Sequence, residues 1–103
     1  MNKLKYVTYF DIENFNITNG ALEHFKQNKI DMIDILILIE KHKFNEDENP
    51  SEEDLQANVN ALHNGGMFLS VYNIANEKVY IISYIDPKAT KSLETTVLLS
   101  SEY

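Results

Sequence analysis

The chain has no cysteine, no arginine and no tryptophan, only three glycines and two prolines, and no apolar run longer than five residues. Without cysteine there are no disulfides, thiolate zinc sites, iron–sulfur clusters or cysteine nucleophiles, a pattern that fits a reducing compartment. Sixteen acids stand against nine lysines, and the resulting net charge of −7 repels phosphate backbones and anionic lipids. Direct nucleic-acid binding is therefore disfavoured. The longest apolar run, Ile35 to Ile39, is far short of the ~18 residues that a membrane span needs. Met1-Asn2-Lys3-Leu4-Lys5 has the charge of a signal n-region, but Thr8, Asp11, Glu13 and Asn14 stand where its apolar region should follow. No export signal and no membrane segment are expected, and the default location is cytoplasmic.

What is present is the material of one folded domain. A hydrophobic fraction of 44% and 103 residues provide a single core. Tyr6 to Phe10, dense in aromatic and β-branched residues, suits a first strand, with Asp11 to Asn16 as a polar connection. Thr18 caps a helix expected over Asn19 to Gln27, with Asn28 as its stop. Asp31 to Lys43 is ambiguous, because its run of Ile and Leu also suits a buried strand. Asp31 as cap, Asp34 at the capping-box position and Lys41, His42 and Lys43 at the far end favour a helix. A helix so apolar around its circumference is either sandwiched between other elements or shared with a second copy of the chain, which admits a homodimer.

Pro50-Ser51-Glu52-Glu53-Asp54 opens a third helix, with Leu55, Val59 and Leu62 on one face and Gln56, Asn58, Asn60 and His63 largely off it. Asn64-Gly65-Gly66 ends it. The period then switches to two over Met67 to Tyr72, Lys78 to Tyr84 and Thr95 to Leu99, which reads as an antiparallel meander. Asp86 to Glu94 is the longest irregular connection and is expected to be mobile. The fold class expected is α+β: three helices packed on a small antiparallel sheet of three or four strands, in one domain.

Gly20-Ala21-Leu22-Glu23, Glu53-Asp54-Leu55-Gln56-Ala57-Asn58 with Ala61-Leu62, Gly65-Gly66 with Leu69-Ser70 and Tyr72, and Thr95-Thr96-Val97-Leu98-Leu99 closing on Glu102-Tyr103 follow in order along the chain. Together they resemble a family of short uncharacterised proteins of plasmids and integrating conjugative elements. These are labelled plasmid-related proteins, or sometimes type I restriction enzyme subunits. The resemblance covers roughly residues 19–103. It implies carriage on a mobile element and supplies no catalytic residues.

No constellation of side chains carries chemistry strongly. Asn45, Asp47 and Asn49 match the start of a calcium loop, but Pro50 stands where glycine is required and Gln56 where the bidentate glutamate belongs. His24, His42 and His63 share no metal-ligand spacing. Ser70, Ser83 and Ser92 lie in no nucleophile elbow. Gly65-Gly66 follows a helix, the reverse of a phosphate-binding order. No catalytic residue, cofactor or metal is expected.

Two surfaces remain as candidate partner-binding sites. Glu46, Asp47, Glu48, Glu52, Glu53 and Asp54 place six carboxylates within nine residues, either a solvated helix N-terminus or a phosphate-mimicking surface. Tyr72, Tyr80 and Tyr84 are expected to share one sheet face with Phe68 nearby, a surface of large contact area. The expected function is that of a non-enzymatic protein–protein interaction protein, an accessory factor of a mobile element. Its sharpest form is an acidic inhibitor of a host nucleic-acid-handling defence enzyme. The alternatives are a small ligand-binding or enzymatic domain using carboxylates such as Glu53 and Asp54, or a structural homodimer built through Asp31 to Lys43.

Overall fold

The computed structural model describes residues 8–48 and 50–103; Asn49 and the first seven residues lie outside the described residues. The elements run β1 (Asn16–Ile17), α1 (Asn19–Gln27), α2 (Met32–Lys43), α3 (Glu52–Asn64), β2 (Gly66–Ile74), β3 (Glu77–Asp86) and β4 (Lys91–Leu99), with a terminal 3-10 turn at Ser100–Glu102. The fold is α+β in one domain, with the strands in the order β1-β4-β3-β2.

Local hydrogen bonds explain where each helix begins. The Thr18 hydroxyl accepts from the Ala21 amide at the head of α1. Asp31 and Asp34 form a reciprocal capping box at the head of α2, each carboxylate accepting from the other residue's amide. Ser51 accepts from the Asp54 amide at 3.0 Å, and Glu52, Glu53 and Asp54 set negative charge against the positive end of α3. Gly65, at φ +83°, closes α3 by donating its amide to the Ala61 carbonyl. These capping residues are those the sequence pattern indicates.

The strands β2, β3 and β4 form the expected antiparallel meander, longer at its ends than the pattern suggests. β2 and β3 are joined by a two-residue turn, Ala75-Asn76, with positive φ at both positions, the conformation whose twist matches a hairpin. The connection expected over Asp86 to Glu94 is not irregular. β3 continues to Asp86 and β4 begins at Lys91, so only residues 87–90 turn. The pairing slips between Tyr84↔Glu94 and Ile85↔Ser92, leaving Leu93 as a bulged, exposed residue, and this bulge hides the strand alternation in the sequence.

The fourth strand is not where the aromatic run places it. Tyr6 and Val7 lie outside the described residues, and Thr8 to Phe10 form no strand. Phe10 is instead fully buried between His42 and Phe68. The added strand is β1, which begins at the last residue of the expected polar connection, and it pairs parallel with β4 through Asn16↔Thr96 and Ile17↔Val97. The end of the chain closes against α1: Thr18 donates its hydroxyl to Glu102 at 2.7 Å, and the Leu99 amide donates to the same carboxylate. A Cβ at Gly20 would collide with that carboxylate.

One sheet face carries the core. Ala21 and Phe25 of α1 and Ile35, Leu38 and Ile39 of α2 pack on Tyr72, Val79, Ile81 and Val97, while Ala61 of α3 and Phe10 pack on Phe68 and Ile85. A polar thread runs through this interior. His42 is fully buried, with Nδ1 2.7 Å from the Ser70 hydroxyl and Nε2 2.8 Å from the Ser83 hydroxyl; Ser83 continues to Thr95, and Thr95 to Ser92. A neutral imidazole has one donor and one acceptor nitrogen, so both are satisfied by hydroxyls that rotate to suit. Burial pushes the His42 pKa down to about 3.

Candidate functional site

α2 presents two chemically similar faces to different surroundings. Ile35, Leu38, Ile39 and His42 face the core. Ile33 and Ile37, one turn apart, lie on the opposite side with Met32 and Leu36 beside them, at 68, 50, 52 and 45% exposure. Neither the sheet nor another helix covers this stripe among the described residues. A groove of about 430 Å³ runs along it, floored by Ile33, Leu36, Ile37 and Phe44 and rimmed by Glu40, Lys41 and Glu46. Tyr9, itself exposed, packs its ring tilted against Phe44, centroids 5.0 Å apart, and prolongs the apolar surface. Glu40, one turn on from Leu36 and Ile37, is paired with Lys43 at 2.8 Å. A larger depression of about 560 Å³ lies along α1, but Asn19, Glu23, Lys26 and Gln27 line it with a single apolar residue, Leu22, which is ordinary helix surface.

The acidic segment divides on folding. Glu46, Glu48, Glu52, Glu53 and Asp54 are exposed, whereas Asp47 turns inward. Its Oδ2 accepts from the Val71 amide at 3.3 Å, and the Glu48 amide donates to the Val71 carbonyl, so the segment mimics a paired strand on the β2 edge. Tyr72 donates its hydroxyl to the Glu46 carbonyl at 2.6 Å. The Asp47 Oδ1 is buried without a hydrogen-bond partner, and burial raises its pKa to about 6. A cleft of about 300 Å³ joins Asp47 to Asp54, Asn73 and Lys78.

Asn58 belongs to the same edge and was missed by periodicity. It is not off the packed face but 3% exposed: its amide donates to the Leu69 carbonyl and accepts from the Leu69 amide, at 2.7 and 2.9 Å, and also donates to Asn45. An edge strand must find partners for such groups, and Asn58 supplies both a donor and an acceptor. An asparagine breaking the apolar face of α3 is the only sequence signal of this.

The expected tyrosine face does not form. Tyr72 pairs with Val79, whereas Tyr80 pairs with Val71 and Leu98, so Tyr72 points with Phe68 into the core and Tyr80 and Tyr84 point to the other side. The cause is the even, two-residue turn, which fixes Tyr72 and Tyr80 in opposite parity. Tyr80 is half-covered by the ring of Tyr103 at 5.7 Å, and Tyr84 is exposed beside Met67.

His42, Ser70 and Ser83 have the residue types of a hydrolytic site, but all three are sealed in the core, which leaves no room for a substrate. No group of three or more His, Asp or Glu able to hold a metal ion occurs among the described residues, and none of their helices is long and apolar enough to cross a membrane. No family model, curated protein or solved structure matches the chain, so the functional reading rests on this geometry.

Proposed function

We propose that the protein is a non-enzymatic protein-binding protein that docks its partner on the outward face of α2. The observation that carries this reading is the contiguous stripe of Met32, Ile33, Leu36 and Ile37 beside an apolar groove. Exposed apolar residues on monomeric proteins are normally scattered, and a contiguous stripe with a charged rim is the form of an interface. Removing the remaining exposed surface of these four side chains from water contributes about 1 kcal/mol each. That total lies at the lower edge of the association cost of ~4–15 kcal/mol, so the partner must also engage Phe44, Tyr9 and the rim.

A photo-reactive residue in place of Ile37, in the cells that make the protein, is expected to cross-link to a protein, whereas the same residue at Glu53 is not. Absence of any cross-link at position 37 would sink the reading. A cross-link to a basic, nucleic-acid-handling enzyme would favour the mobile-element inhibitor form, in which Glu46 meets the partner's cations.

One observation favours a second reading, a ligand-binding or acid–base role. Asp47, rather than Glu53, combines a raised pKa with an unpartnered oxygen beside the cleft shared with Asp54 and Lys78. A ligand of that cleft would raise the melting temperature of the native protein and not that of Asp47→Asn. An unchanged melting temperature across a nucleotide and metal screen would remove it.

A further inference from the structure

Resting on the reading of α2 as a docking face, we infer that its occupant is a second copy of this chain, with the two α2 helices antiparallel about a twofold axis near Ile37. The stripe is apolar in the middle and oppositely charged at its ends. Asp31 and Asp34 stand at the N-terminal end and Lys41 at the C-terminal end, all exposed. Asp34 and Lys41 are seven residues apart, two helical turns, and therefore lie on the same flank of the stripe.

In an antiparallel pair, residues of the same flank face each other across the seam. Asp34 of each copy then meets Lys41 of the other, twice by symmetry. Ile37 approaches its own counterpart at the axis, and Ile33 of each copy reaches toward Phe44 of the other. The helix dipoles also oppose, acidic start against basic end. A parallel pairing would place the Asp34 and Lys41 flanks of the two copies on opposite sides of the seam, so neither ion pair would form. Glu40 lies on the stripe itself, one turn from Leu36 and Ile37, and enters the seam with its own counter-ion, Lys43 of the same helix.

The test is sedimentation equilibrium on the purified 103-residue chain and four charge arrangements. The native chain is expected to show a monomer–dimer equilibrium above its 11.9 kDa monomer mass. Asp34→Lys alone and Lys41→Asp alone are each expected to weaken dimerisation about tenfold, since two ion pairs become two like-charge pairs. Net charge moves toward zero in the first variant and away from it in the second, so a shared weakening is local and not a matter of overall repulsion. An equimolar mixture of the two variants restores the dimer, as does a chain carrying both D34K and K41D. That rescue also separates pairing from any loss of the Asp34 cap, because the cap stays lost in the rescued chain. Failure of the rescue, or variants that simply follow net charge, would overturn the antiparallel pairing. A native chain that stays monomeric at every concentration would overturn the second copy as occupant. The docking face itself then stands if Ile37 cross-links to a different protein, and falls if it cross-links to none.

Discussion

The two faces of α2 are built from the same residue types, yet one is the wall of the core and the other meets solvent. Ile35, Leu38 and Ile39 are buried, and Ile33, Leu36 and Ile37 are not. Composition does not separate them; what lies opposite does. The inward face meets the sheet and completes its packing through His42, whose ring bridges Ser70 on β2 and Ser83 on β3. Folding gains from the inward face and gains little from the outward one, so the outward isoleucines require a reason other than the stability of the single chain.

The largest effect should come from moving a charge between these faces. Ile39→Asp buries an unpaired carboxylate and is expected to cost more than ~4 kcal/mol, enough to abolish folding. Ile37→Asp is expected to change monomer stability by no more than ~0.5 kcal/mol. Urea unfolding of both variants at dilute concentration reads this contrast, and equal losses would break it.

His42→Leu should be next in size. It removes the ring that bonds the Ser70 and Ser83 hydroxyls in the core and is expected to cost about 2–3 kcal/mol at neutral pH. It also changes the acid response. The folded pKa of His42, about 3, lies below its ordinary 6.5, so its contribution is fully present above pH 6.5 and is lost as the pH falls toward 3. The loss over that window is on the order of 4 kcal/mol, and the leucine variant should lack it, while Ile37→Asp should keep it. Urea melts at pH 7 and pH 5 distinguish them.

Asp47→Asn sharpens the comparison from the neighbouring loop. Because burial raises Asp47 from 3.8 to about 6, its charged form is disfavoured in the fold. The penalty is complete above pH 6 and absent below 3.8, so the native chain gains stability from this group as the pH falls through that window. The asparagine variant is expected to be about 1 kcal/mol more stable at pH 7, a figure reduced for the partial exposure of the group, and no more stable at pH 3.5. A smaller gain, about 0.5–1 kcal/mol, is expected for Ala75→Gly, which relieves a positive φ in the β2–β3 turn. Being remote from α2, it should raise the urea midpoint without altering association, and a change in association would mean that stability and docking are not separate.

Most of the fold was legible because caps are local. Thr18, Asp31, Asp34, Ser51 and Gly65 each make bonds within a few residues of themselves, and those bonds set the helix limits. The helical assignment of α2 followed from its ends, although its middle reads equally as a strand. What escaped depends on distant partners. The side to which Tyr72 and Tyr80 point turns on whether the intervening loop is even or odd, and Ala75-Asn76 lacks the glycine that marks a two-residue turn. The inward turn of Asp47 and the burial of Asn58 answer unpaired groups on β2, which become an edge only after the sheet has assembled. The outward face of α2 was half legible: its excess of apolar residues showed in the sequence, but which of them would be left uncovered required the packing.

The most direct test is a concentration series of the isoleucine methyl NMR spectrum of the native protein. Ile33 and Ile37 should shift together as the concentration rises, while Ile35 and Ile39, on the same helix but facing the core, stay in place. Shifts confined to residues away from α2, or Ile33 and Ile37 methyls that do not move up to millimolar protein, would contradict the account.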